Sequence, residues 1–93
     1  MILRTERFIK VKDDWYPNFQ GDKVKVVLSL SHYKDYYIKL AAWGADDTAY
    51  EKEFNYSSAK DAVKGYYDLL PFYQSIPDGI TKDWFIDRGF TRF

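Results

Sequence analysis

A chain of 93 residues has room for one domain and hides only about 60 to 65% of its unfolded surface, so its core has to be efficient. No cysteine is present, which excludes a disulfide framework and a thiolate metal site and fits a reducing cytosol. The 14 basic and 14 acidic side chains cancel, which argues against generic duplex-DNA binding, since that needs a net basic footprint.

The 3 Trp, 9 Tyr and 7 Phe bring about 150 to 250 Å² of burial each. They exceed what such a core can enclose, so some tyrosines stay half exposed. Arg4, Glu6 and Arg7 stand where a signal peptide needs an unbroken apolar stretch, and no uncharged run approaches the roughly 18 residues of a membrane span. The expectation is a cytoplasmic protein with residues 1–93 forming a single α+β domain. Charge is unevenly spread: residues 1–43 hold eight Lys/Arg against five Asp/Glu, and residues 44–93 hold six against nine, which predicts pairing between the halves.

In chain order, Arg7 to Lys12 alternates as a first strand, followed by a polar loop, Asp13 to Asp22, punctuated by Pro17-Asn18 and Gly21-Asp22. Lys23 to Ser31 is the clearest strand, with Val24, Val26, Leu28 and Leu30 facing one way. A five-residue turn, His32 to Tyr36, leads to a strand from Tyr37 to Trp43 with Ile38, Leu40 and Ala42 inward. Side-chain parity sets the register of the next hairpin, because a one-residue slip turns a whole strand over. An odd loop, Gly44-Ala-Asp-Asp-Thr48, puts Tyr50, Phe54 and Tyr56 with Ile38, Leu40 and Ala42, and sets Lys39 opposite Glu53 on the outer face. An even loop would place Glu51 and Glu53 in the core.

A helix starts at Ser57 or Ser58, where a serine hydroxyl caps the first turn and Asp61 completes an approximate capping box. Ala59, Ala62, Val63, Tyr66, Leu69, Leu70 and Tyr73 follow helical spacing, Gly65 reads as a point of close approach to the sheet, and Pro71 and Pro77-Asp-Gly79 end the segment. A last short helix has Thr81 as N-cap, Ile80 and Phe85 as a hydrophobic staple, and Gly89-Phe90 as a Schellman ending. Trp84, Phe90 and Phe93 either close the core or anchor a partner, and core closure is the reading favoured. The predicted architecture is ββββαα: a four-stranded antiparallel sheet, then one long and one short helix packed on one face, in two layers.

Sites are harder to find. Ser29, Ser31, His32 and Asp35 bring hydrolase residue types into one hairpin tip, which cannot build the water-excluding cleft a triad needs. Asp46, Asp47, Glu51 and Glu53 lack the spacing of a calcium loop, and one histidine without a thiol assembles no usual zinc set. No phosphate loop or catalytic motif is present, so no cofactor, metal or catalytic residue is assigned. Two surfaces remain. On the outer sheet face, Lys10, Lys12, Lys23, Lys25 and Lys39 with Tyr37 and Trp43 set cations beside rings, as single-stranded nucleic-acid binders do; the alternative is a solvated face whose lysines pair with Glu51 and Glu53. The loop Trp15-Tyr16-Pro17-Asn18-Phe19 offers three rings that either anchor a partner or plug the open end of the core.

At Trp43-Gly-Ala-Asp-Asp-Thr48, followed by Glu51-Lys-Glu-Phe54 and later by Ile80-Thr-Lys-Asp-Trp-Phe with Gly89-Phe90, the chain resembles small phage- and prophage-encoded proteins of uncharacterised role. The resemblance supplies no substrate and no catalytic residue. It implies a setting in which small cysteine-free mixed α/β proteins commonly bind and block a host protein, as anti-CRISPR and other anti-defence proteins do. The expectation is a non-enzymatic interaction protein that inhibits or modulates a host protein through Trp15, Tyr16, Phe19, Tyr37, Lys39 and Trp43. A single-stranded nucleic-acid-binding module is the alternative, and a homo-oligomer stays open.

Overall fold

The computed structural model describes residues 2–12, 23–43 and 49–92, with the side chain of Ala49 left aside. The strands are β1 (Leu3–Lys10), β2 (Lys23–Tyr33), β3 (Asp35–Trp43), β4 (Ala49–Tyr56) and β5 (Thr91–Arg92), and the helices α1 (Ala59–Gln74) and α2 (Lys82–Asp87) lie between β4 and β5. The sheet is antiparallel in the order β1-β2-β3-β4-β5. The α+β class and the order of the first four strands and two helices agree with the sequence. The fifth strand does not come from pattern at all, since two residues carry no periodicity.

Alternation along β2 and β3 puts Val24, Val26, Leu28, Leu30, Ile38, Leu40 and Ala42 on the inner face, all buried, where they join Ile9, Tyr50, Ala62, Tyr66, Tyr73 and Phe85 in one cluster. The odd loop length holds: Trp43 pairs with Ala49 and Ile38 with Phe54. The β2–β3 turn is tighter than expected. Strand pairing continues to Tyr33 and Asp35, leaving Lys34 alone at the tip with φ 66°, because His32 and Tyr36 stack across the strands with ring centroids 4.1 Å apart.

The first strand runs Leu3–Lys10 instead of Arg7–Lys12. Its inner-facing Arg7 breaks the apolar alternation, and the fold explains why: the guanidinium donates to the carbonyls of Tyr73 at 2.9 Å, Ile76 at 2.8 Å and Gln74 at 3.4 Å. Those carbonyls lie at and just beyond the C-terminal end of α1, where a cation is favoured. The same contact supports the last turn of α1, which runs through Pro71 to Gln74; the sequence carries helical spacing to Tyr73 and sets Pro71 and Pro77-Asp-Gly79 as its ending signals. The Tyr73 hydroxyl donates to the Val26 carbonyl at 3.1 Å, pinning the turn beyond the proline to the sheet, and burial pushes the Tyr73 phenol pKa up.

Ser58 caps α1, accepting from the Asp61 N–H at 3.2 Å. The buried stripe of α1 is Ala62, Gly65, Tyr66 and Tyr73, with Leu69 and Leu70 half-buried; Ala59 and Val63, expected inside, are exposed. Close approach at Gly65 turns that stripe toward Ala62 and leaves Val63 at its border. In α2, Thr81 is the N-cap residue but its side chain makes no capping hydrogen bond. The C-terminal end is a full Schellman motif: Gly89 at φ 84°, Phe90 N–H to Phe85 carbonyl at 3.0 Å and Gly89 N–H to Ile86 carbonyl at 3.1 Å. Phe85 and Phe90 clasp edge to face at 5.2 Å, and half-buried Trp84 packs against the same cluster.

Candidate functional site: the open face of the sheet

Both helices pack on one face, so the opposite face of β1 to β4 carries no described element. Alternation makes this face a lattice of cross-strand rows: Arg4, Ser29, Lys39 and Glu53; then Glu6, Val27, Ala41 and Glu51; then Phe8, Lys25 and Trp43. Acidic and basic groups interleave within it. Arg4 pairs with Glu6 at 2.7 Å, Lys25 with Glu6 at 3.6 Å, and Lys39 with Glu51 at 3.5 Å. Lys39 faces Glu53 in register as expected, but its ion pair goes to the diagonal neighbour Glu51, within reach of a long side chain on a twisted sheet. Hydrogen bonding from Arg4, aided by the Lys25 charge against the opposing effect of desolvation, holds the Glu6 carboxyl below the usual carboxylate range.

Two topographic features stand out. Phe8 is 63% exposed and Trp43 37% exposed; the register sets them on either side of Lys25, whose ammonium lies 5.9 Å from the Phe8 ring centroid. Beside that row, the small side chains Val27, Ser29, Ser31 and Ala41 form the floor of a depression of about 170 Å³ whose walls are Arg4, Tyr37, Lys39 and Trp43. The floor is buried although no described element covers it, because long neighbours lean over short ones.

The structure thus brings Tyr37, Lys39 and Trp43 together at one depression and separates the other expected cations. Lys25 stands in the row of Trp43, two rows from Lys39, and does not line the depression. Lys10 and Lys23 face each other at the end of the sheet, a like-charge pairing that favours neither, and Lys12 lies beyond the end of β1, its N–H donating to the Ile80 carbonyl at 2.9 Å. The five lysines do not form one cationic track. Trp15, Tyr16 and Phe19 lie outside the described residues, as do Asp46, Asp47 and Phe93. Ser29 and Ser31 point to the open face, whereas His32 takes the opposite parity and stacks on Tyr36, so these groups are not assembled as a triad. Among the described residues no cluster of three or more His, Asp or Glu is placed to hold a metal ion.

Sequence reasoning missed Arg4, Glu6 and Phe8 as members of this face because it began the first strand at Arg7. The available signal was the alternation Arg4, Glu6, Phe8 against Leu3, Thr5 and Ile9, which Arg7 obscures. Among the described residues no helix is long and apolar enough to cross a membrane. Comparison of the chain with protein-family models, with curated proteins and with solved structures finds no match.

Proposed function

We propose that the protein acts by binding: a small, non-enzymatic, phage-type interaction protein that inhibits or modulates a host protein in the bacterial cytoplasm, such as a defence factor, and docks on it through the open sheet face. One observation carries this reading: a face bare of described elements exposes Phe8 and Trp43 beside a depression walled by Tyr37 and Lys39. Exposed aromatic anchors beside a pocket are the usual makings of an interface hot spot. The inhibitory role against a host protein rests on the resemblance of the Trp43-to-Phe90 segment to phage-encoded proteins.

Capture from a bacterial lysate tests the docking face. The expected outcome is that Trp43→Lys and Phe8→Lys each abolish capture of the bound protein while the thermal melt stays within a few degrees; capture that survives both substitutions overturns the assignment. A single-stranded nucleic-acid module is the second reading, supported by the Phe8, Lys25, Trp43 row, in which a cation stands between two rings. Against it, Glu6 and Glu51 already pair with Arg4, Lys25 and Lys39.

A further inference from the structure

We propose that the outer edge of β1 pairs with β1 of a second copy of this chain, antiparallel about a two-fold axis at Thr5, joining two five-stranded sheets into one of ten strands. This pairing is independent of what the open face binds. Lys10 turns both of its backbone groups away from β2: its N–H donates to Asp78 Oδ1 at 2.8 Å and its carbonyl accepts from the Gly79 N–H at 2.9 Å. Backbone direction alternates along an antiparallel strand and the register with β2 is unbroken, so Arg4, Glu6 and Phe8 turn outward as well. Among the described residues nothing takes the outward groups of Glu6 or Phe8. An edge left in this way is a template for another strand.

Charge and space select the occupant and its register. Charged side chains usually keep other strands off an edge, but Arg4 and Glu6 have opposite signs on successive outward positions, which makes this strand complementary to itself. An axis at Thr5 sets Arg4 of each copy opposite Glu6 of the other, a neutral quartet in which the existing Arg4–Glu6 pair is shared and not broken. An axis between two residues would oppose outward groups to inward ones. An axis at Arg4 opposes Arg4 to Arg4. An axis at Glu6 opposes Glu6 to Glu6 and brings the second copy's Ile2 opposite Lys10, where the segment from Asp78 to Ile80 already sits. With the axis at Thr5 the ladder spans Leu3 to Arg7, short of that segment. It sets Thr5 against Thr5, a favourable cross-strand pair. It also places Ile2, 49% exposed, beside Phe8, 63% exposed, so two large apolar side chains that each copy leaves in water cover one another. A two-fold contact of this kind closes on itself and builds no fibre, and both open faces lie on one side of the joined sheet.

Sedimentation equilibrium and cysteine crosslinking of the full chain test this. The unaltered protein is expected to be a dimer at high micromolar concentration. Arg4→Glu and Glu6→Arg, which oppose like charges across the axis, are each expected to weaken self-association at least about tenfold, and mixing the two in equal amounts to restore a dimer. The chain has no cysteine, so Thr5→Cys supplies one thiol per copy at the axis, in a non-hydrogen-bonded pair whose Cα atoms lie about 4.5 Å apart, within disulfide reach. It is expected to crosslink under mild oxidation at least about tenfold faster than Glu6→Cys, whose two copies lie beyond that reach. A monomer at high micromolar concentration, unweakened association of both charge variants, no dimer on mixing them, or a faster crosslink in Glu6→Cys overturns the proposal. So does a dimer lost in Trp43→Lys, which places the contact on the open face instead. Should a charge variant fail to fold, the unaltered chain and the two cysteine variants decide alone. A monomer whose capture of a host protein is still lost in Trp43→Lys leaves the docking face intact and removes only the β1 pairing.

Discussion

Gly65 shows how one atom can reverse the sign of a propensity. In an exposed helix interior, replacing glycine with alanine stabilises by about 1 kcal/mol, yet a Cβ at Gly65 would stand 2.6 Å from Tyr56 Cζ, closer still to the phenol oxygen, and 3.2 Å from Ile38 Cδ1. The half-buried Tyr56 ring would have to swing away and Ile38, at the centre of the core, would have to give. We expect Gly65→Ala to destabilise by about 1 to 3 kcal/mol, the range for overpacking, measured by urea unfolding. In a Tyr56→Ala background the same substitution is expected to become neutral or stabilising. Additive effects of the two changes would show that Tyr56 is not what excludes the side chain.

At the scale of elements, what was legible depended on how locally each feature is encoded. The β3–β4 register could be read from Lys39, Glu51, Glu53 and Phe54 because parity alone separates a charged core from an apolar one, and the end of α2 because Gly89-Phe90 is a local motif. The exact end of α1 was not legible, because helical spacing reaches Tyr73 while Pro71 signals a stop: the last turn is held by Arg7, 64 positions before the proline in the chain, which donates to its carbonyls. The same long-range role hid the start of β1 and, with it, Arg4, Glu6 and Phe8 on the candidate face. Arg7→Met keeps most of the apolar stem but removes the hydrogen bonds to Tyr73, Gln74 and Ile76. Its expected cost is about 1.5 to 3 kcal/mol, as for hydrogen bonds to a charged group. Hydrogen exchange should accelerate first at Tyr73, Ser75 and Ile76, whereas uniform acceleration across α1 would mean that Arg7 supports the whole helix and not its last turn.

For the whole molecule, the arrangement of edges and charges directs contact to the open face. Each outer edge of the sheet is partly occupied: β5 pairs with β4, and the segment from Asp78 to Ile80 binds β1 through the Lys10 N–H donating to Asp78 Oδ1 at 2.8 Å, the Gly79 N–H donating to the Lys10 carbonyl at 2.9 Å and the Val11–Ile80 bridge. Covered stretches discourage strand addition by another chain. The face between them carries aromatic side chains and mutually neutralised ion pairs, a surface suited to a polypeptide and poorly suited to a polyanion. Nucleic-acid affinity grows with each phosphate that an available cation neutralises, and here Lys25 and Lys39 are already matched by Glu6 and Glu51 while Lys10 and Lys23 repel each other at the far end. We therefore expect no binding of oligothymidylate at physiological salt by fluorescence anisotropy. Glu6→Gln with Glu51→Gln should release Lys25 and Lys39 and create weak binding that disappears as salt is raised, showing that the face has the rings for nucleic acid but not the charge. Micromolar, salt-sensitive binding by the unaltered protein, lost when Lys23, Lys25 and Lys39 are neutralised together, would instead make the single-strand reading the correct one.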